Sequence, residues 1–371
     1  MVGSANLLSL TVRERFGPMV RFLRGLWLVS PLQEVPMMRH LVPVSFVLGV
    51  VALVGCANEH EIMRMDFEDS FYQAGTDMVD ILWVIDDSNS MANEQMKVAQ
   101  GFTRFIFAMN MAEEDVDFHI AVTSTDMDED NEQRGMLLGE PPYLTRDDDY
   151  LPMFMERVQV GVAGSDKERG LQAAYHALSD PDAVDAGDGF LRGDSVLALV
   201  FVSDENDCSD DNWLSDDMDG GLCYDINDKL ISTADYVRAF QGLKGIGGRV
   251  VASNIVGPEV SEGCDESWPG KRYMTIGNEL DGINGNICES GYGDIIHDIG
   301  TQIGSPQRTF FLTHRPVLDT LTVYVDDEVV EAEDDLGWQY DDEFISVGFH
   351  GEYVPDFGST IIVAYDIGGG K

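Results

Sequence analysis

Two unbroken apolar runs, residues 81–85 and 196–202, stand out from a chain whose apolar positions otherwise recur at helix or strand spacing. A run of this kind predicts a strand buried on both faces, as in a parallel sheet. Residues 91–110 follow the first run, and Val98, Phe102, Ile106 and Met109 fall there on one helical face. Further strands are predicted over 117–125, 249–256 and 309–312, with a short antiparallel edge strand over 134–139. Further helices are predicted over 166–178, 232–244 with Ser232 as N-cap, and 292–303. Strands alternating with helices predict an α/β fold: a doubly wound, mostly parallel sheet flanked by helices over 77–313. From residue 314 the period drops to two. Strands over 321–325, 329–330, 338–340, 345–349 and 360–365, with a turn at Asp326-Asp327, predict a small all-β C-terminal module over 314–371.

The N-terminal pattern has a different meaning. Met37-Met38-Arg39-His40 is a short basic start, and residues 41–55 are almost wholly apolar. That stretch is too short for a comfortable membrane span and has the layout of a secretory signal. Residues 1–36 fit no such layout, so the leader within 1–55 is expected to start at Met37 or Met38. It ends in Leu53-Val54-Gly55-Cys56, which resembles a bacterial lipobox. The resemblance implies that Cys56 carries a lipid anchor, with 56–76 as an acidic tether. Ala57 and Asn58 resemble outer-membrane sorting residues, so the expected location is the bacterial cell envelope, at its outer membrane.

Net charge narrows the partners. At −44 over 371 residues, the surface repels nucleic acid and anionic headgroups and attracts divalent cations and basic partners. A solubility device for salty surroundings is the plainer alternative. With Cys56 assigned to lipid, Cys208, Cys223, Cys264 and Cys288 form an even set, which in an exported protein predicts disulfides. Three connectivities are open. The local one, Cys208–Cys223 with Cys264–Cys288, closes the shortest loops and is the one expected. Zinc is disfavoured because no C-x-x-C pair occurs.

The first apolar run ends in Asp86-Asp87-Ser88-Asn89-Ser90. Carboxylate and hydroxyl oxygens thus sit at the carboxyl end of a central strand, where open α/β sheets bind ligands, and they suit Mg²⁺. The spacing D-x-S-x-S resembles the metal-ion-dependent adhesion site of von Willebrand factor A (VWA) domains. Residues 164–171 resemble the second loop of that site, with Ser165 in its Thr position. Asp204, after the second apolar run, matches its later Asp. The resemblance implies that Ser88 and Ser90 ligate directly, Ser165 directly or through water, and Asp86 and Asp204 through water. Mg²⁺ is the implied ion, with Mn²⁺ and Ca²⁺ as alternatives. One position would stay open for an acidic side chain of a protein partner.

An acidic loop follows Asp204. Asp207, Asp210, Asp211, Asp216, Asp217 and Asp219 could form a second cation site, with Ca²⁺ the natural ion, or a selectivity rim. Residues 126–130 begin like an EF-hand but lack its Gly and closing Glu. Enzyme readings are weak. Haloacid-dehalogenase-like phosphatases need a second Asp two residues on, where Ser88 stands, and no G-x-S-x-G, H-E-x-x-H or phosphate-binding Gly-rich motif occurs. His119 and His176 are read as structural. The expected function is partner capture through a bound cation. The alternatives are an acidic envelope lipoprotein with a purely stabilising metal, or a metal-dependent hydrolase.

Overall fold

The structure is a computed structural model describing residues 64–75, 77–112, 116–129, 131–210, 223, 229–245, 247–260, 264, 267–332 and 337–368. The leader, Cys56, Asp211, Asp216, Asp217 and Asp219 lie outside the described residues. Among the described residues, no helix is long and apolar enough to cross a membrane.

Five strands form a parallel sheet: β2 (Met78–Ile85), β3 (Asp117–Ser124), β4 (Val196–Ser203), β5 (Val250–Val256) and β6 (Asn284–Asn286), in the order β3-β2-β4-β5-β6. The alternation along β2 shows why its run is unbroken. Val79, Ile81, Trp83 and Ile85 join one core with Phe102 and Phe105 of α1 (Ala92–Ala112), Phe154 of α2 (Tyr150–Arg157), and Ile296 and Ile299 of α7 (Gly293–Ile303). Leu82 and Val84 join a second core with residues of α3 (Gly170–Ser179), α5 (Thr233–Lys244) and α6 (Lys271–Glu279). Both faces are covered, which is why residues 81–85 are all apolar. Ser232 caps α5 by accepting from the Asp235 backbone N–H at 3.1 Å. A short helix, α4 (Pro181–Ala186), follows α3.

The expected fold class requires correction. Seven of the twelve strands among the described residues lie in two antiparallel sheets. One has the order β1-β12-β8-β9, from β1 (Arg64–Tyr72), β12 (Thr360–Gly368), β8 (Thr322–Val325) and β9 (Glu328–Val330). The other has the order β10-β11-β7, from β10 (Gly337–Asp341), β11 (Ser346–His350) and β7 (Thr309–Phe311). The chain is therefore not a doubly wound α/β sheet trailed by a small C-terminal module. Its antiparallel part draws β1 from the expected acidic tether and β7 from the expected large domain. The tether reading fails because β1 pairs over nine residues with β12. Its acidic residues mask a period-two pattern, with Phe71 buried, Phe67 half-buried, and Glu68, Ser70 and Tyr72 outward.

Asp69 stands at an inward position although it is charged. It is buried because it accepts from the Thr313 backbone N–H (2.9 Å), the Thr313 hydroxyl (2.5 Å) and the Tyr365 hydroxyl (2.5 Å). Phe71, Phe310, Val323, Trp338, Phe349 and Ile361 form the core shared by these strands. Gln73 ties the link after β1 to that before β7, donating to the Gln307 carbonyl at 2.8 Å.

Two smaller expectations also change. Residues 134–139 form no strand, although Leu138 donates its N–H to the Val122 carbonyl at 2.8 Å; the isolated bridge beside β3 is Ile120–Leu144. The helix expected over 166–178 starts only at Gly170, because 164–169 forms a loop against the carboxyl end of β2.

Candidate metal centre

β2 and β4 are neighbours in register, with Ile85 opposite Val202. Asp86 extends that pairing, donating its N–H to the Val202 carbonyl at 3.0 Å. Asp86 and Ser203-Asp204 therefore leave the sheet side by side. From β2 the chain passes to β3 on one side and returns to β4 on the other, which opens a crevice at the strand ends.

Asp86 is wholly buried. One carboxylate oxygen accepts the Ser88 N–H at 2.8 Å, and the other accepts the Ser203 hydroxyl at 2.6 Å. Burial raises its pKa against the lowering effect of these bonds. The hydroxyls of Ser88 and Ser90 stand 3.2 Å apart. Ser90 also bonds to the Asp204 carboxylate, whose pKa rises to about 7 through burial and the nearby Asp86 charge. One buried oxygen of Asp204 has no hydrogen-bond partner.

The second loop docks on the first. Gly164 donates its N–H to the Asp87 carbonyl at 2.8 Å, and a Cβ at Gly164 would meet the Asp87 carboxylate at 2.3 Å. Glycine is required for that approach. Next to it, the Ser165 hydroxyl is buried and accepts the Lys167 N–H at 3.1 Å. The hydrogen bonds thus link Asp86, Ser88, Ser90 and Asp204 directly, and Ser165 enters through its neighbour Gly164.

Three residues of this neighbourhood escaped the sequence reading. Ser203 shares Asp86. Asp87 has a pKa raised to about 6 by burial and the Asp126 charge, and one of its oxygens has no partner. Glu168 is wholly buried, and burial with the Asp86 charge raises its pKa well above the usual range against the lowering effect of the Thr125 hydroxyl. Ser203 was recoverable as the last residue of the second apolar run. Glu168 was not, because the resemblance of 164–171 to the second loop gives a role to Ser165 alone.

The acidic loop after Asp204 is corrected where it is described. Asp207 is buried and accepts from the Leu171 N–H (3.0 Å), the Ser209 N–H (3.2 Å), the Ser209 hydroxyl (2.6 Å) and the Arg272 guanidinium (2.9 Å). Asp210 is buried against the Lys167 ammonium at 3.1 Å. Neither belongs to an open rim or a second cation site; both are spent on interior cations. The structure joins Cys208 to Cys223 and Cys264 to Cys288. His119 places Nδ1 2.9 Å from the Phe190 carbonyl, and His176 places Nδ1 3.3 Å from that of Gly135, both away from this centre.

Among the described residues, no three His, Cys, Asp or Glu side chains converge as a metal cluster. The donor set is hydroxyl-rich instead. An octahedral ion with Mg–O near 2.05 Å spaces adjacent ligands by about 2.9 Å, and a Ca²⁺-sized ion by about 3.4 Å. The 3.2 Å between Ser88 and Ser90 falls between these values. The unpartnered oxygens of Asp87 and Asp204 supply the hard, anionic surroundings such an ion takes. Lys167 and Arg169, the nearest cations along the second loop, are paired to Asp210 and Asp128. The residues present therefore fit a hard divalent cation.

No protein-family profile and no curated protein matches the chain. Solved structures similar to it include proximal thread matrix protein 1 from the mussel byssus, at 12% identity and TM-score 0.34, covering 63% of this chain and 50% of that one. The pilus adhesin SpaC from Lactobacillus rhamnosus GG, in its open conformation, is 14% identical at TM-score 0.34, covering 81% and 40%. The adhesive tip pilin GBS104 from Group B Streptococcus agalactiae is 10% identical at TM-score 0.33, covering 84% and 83%. This chain spans half or less of the first two.

Proposed function

We propose that this protein binds a divalent cation, Mg²⁺ first, and through it captures a protein partner by a carboxylate of that partner. Ser88, Ser90 and Ser165 would hold the ion, with Asp86 and Asp204 acting through water, as in the adhesion sites that D-x-S-x-S resembles. The bound ion supplies an electrophilic position for the partner's acid. The observation that carries this reading is the Ser88–Ser90 hydroxyl pair, 3.2 Å apart and placed between two buried carboxylates. Neutral donors leave the cation most of its charge, and that charge makes a partner carboxylate worth binding.

Two further features support partner capture. Trp268 donates its backbone N–H to the Asp204 carbonyl at 2.7 Å, and its side chain is 55% exposed. A held, exposed aromatic beside the ion is the kind of residue that anchors interfaces. The acidic surface implies that the docking carboxylate lies in basic surroundings. The two disulfides support export, and Cys56 would anchor the protein in the cell envelope.

The test is a pulldown from detergent-solubilised envelope with the full chain. Mg²⁺, a chelator, and Ser88→Ala with Ser90→Ala form the three arms. A band lost from the chelated and mutant samples is expected. Equal bands in all three, with the variant still folded, would refute metal-bridged capture. Metal-dependent melting together with equal bands would identify a purely stabilising ion.

A further inference from the structure

Glu168 is a carboxylate that the proposed ligand set does not use. Its side chain is wholly buried, with the Thr125 hydroxyl beside it and no charged donor bonded to it among the described residues. Its backbone is fixed on both sides. The Glu168 carbonyl accepts the Cys208 N–H at 2.6 Å, and the next N–H, of Arg169, donates to the Thr125 carbonyl at 3.1 Å. The side chain is thus held where it is by the disulfide-bearing segment and the end of β3.

Its charged surroundings are negative: Asp86 first, then Asp87 and Glu205. The cations flanking it in sequence are engaged elsewhere, Lys167 with Asp210 and Arg169 with Asp128. The Thr125 hydroxyl lies against Glu168, and the Tyr273 hydroxyl is buried nearby. A buried carboxylate among carboxylates requires a counter-charge or a proton. Two remedies exist: a proton on Glu168, or a cation at the Asp86 side.

We propose that the cation of the Asp86 centre is the counter-charge of Glu168, and that Glu168 belongs to that centre as a further acidic group facing the ion through a water molecule. This inference rests on the metal-binding reading above. Tyr273 and Thr125 supply hydroxyls for that water. The consequence is a centre more anionic than Ser88, Ser90, Ser165, Asp86 and Asp204 alone provide. The added charge strengthens retention of the cation.

Mn²⁺ titration calorimetry on the full chain in detergent tests this. Wild type, Ser88→Ala with Ser90→Ala, and Glu168→Gln are compared. Gln has the shape of a protonated Glu and removes only the charge. The proposal expects Glu168→Gln to lose on the order of 10- to 100-fold in Mn²⁺ affinity, with a smaller Mn²⁺-induced rise in melting temperature. Affinity within twofold of wild type would overturn it and assign a proton to Glu168, while leaving the serine site intact. Wild type that takes up no Mn²⁺ overturns both the metal reading and this one. If Glu168→Gln does not fold, anomalous diffraction from Mn²⁺-soaked wild-type crystals decides. A peak beside Ser88 and Ser90 with a water bridging to Glu168 supports the proposal. A peak there without the bridge, or none, overturns it.

Discussion

Replacing Asp207 with Ala should strongly destabilise the protein while leaving cation binding intact. Asp207 is wholly buried and accepts four hydrogen bonds, one of them from the buried Arg272 guanidinium. Arg272 holds two further groups, donating its backbone N–H to Asn206 at 3.0 Å and a guanidinium N–H to the Ile231 carbonyl at 2.6 Å. Its side chain therefore cannot swing out to water without breaking the bond to Ile231. Removing one partner of a buried pair strands the other charge, at a cost of about 3–5 kcal/mol. The abandoned N–H groups of Leu171 and Ser209 cost about 1 kcal/mol or more each, unless water enters the vacated space. A total of about 5–7 kcal/mol is a large share of a typical stability of about 5–15 kcal/mol. With a urea slope near 3 kcal/mol/M, the unfolding midpoint should fall by roughly 2 M.

The assay is urea unfolding with disulfides intact, alongside Mn²⁺ titration of the folded variant. Asp207→Ala with Arg272→Met should recover at least half of the loss, because the stranded charge is then gone. A loss under 1 kcal/mol, or one cation fewer bound per chain, would refute the ion-pair assignment and restore Asp207 to a cation-binding rim.

Three further predictions follow from other parts of the structure. The pKa of Glu279 rises to about 7 through burial and the charges of Asp341, Glu343 and Asp281. Its contribution is therefore fully present below the ordinary value of 4.5 and is lost as pH rises through about 7. The group is only half-buried, so screening leaves about 1 kcal/mol of that loss; Glu279→Gln should be more stable than wild type at pH 8 and equal to it at pH 4, and parallel pH–stability profiles would contradict this. Asp69→Ala should cost about 2–3 kcal/mol and speed amide hydrogen exchange across β1, whereas unchanged exchange there would mean that β1 is held by its pairing with β12 alone. Gly164→Ala forces the Asp87 carboxylate from a 2.3 Å contact, so Mn²⁺ affinity should fall with little change in melting temperature, and unaltered calorimetry would show that the two loops adjust independently.

The parallel strands were legible because burial on both faces leaves a signature of its own. No polar residue interrupts 81–85 or 196–202, and the structure places β2 and β4 over these residues. The antiparallel part was legible only where the chain stays apolar at alternate positions, as in β8 and β12. β1 was missed because Asp66, Glu68 and Asp69 give it the composition of a tether. Its partner, β12, lies almost 300 residues away, and pairing at that distance leaves no local mark. The Asp86 loop could be placed from its motif, since a strand end and a helix start fix where those side chains emerge. The second loop could be found but not its geometry, because Gly164 matters through a contact with Asp87 that only the folded chain creates.

Charge was the most misleading signal, and the reason is physical. A sequence at −44 invites every Asp to be read as surface, yet Asp69, Asp80, Asp86, Asp207 and Asp210 are buried. Asp80 shows how such a residue is accommodated. It accepts from the Arg192 backbone N–H at 2.6 Å, the Arg192 guanidinium at 2.7 Å and the Ser195 hydroxyl. Each buried carboxylate in this group is stabilised by donors brought from elsewhere in the chain, and those donors cannot be counted before folding. The same accounting separates structure from site. Asp69, Asp80 and Asp207 have their oxygens occupied by protein donors, and Asp210 is paired with Lys167. At the carboxyl ends of β2 and β4, Asp87 and Asp204 each keep a buried oxygen without a hydrogen-bond partner. Where one carboxylate cluster is completed by the protein and another is not, the incomplete one is where a cation has the most to contribute.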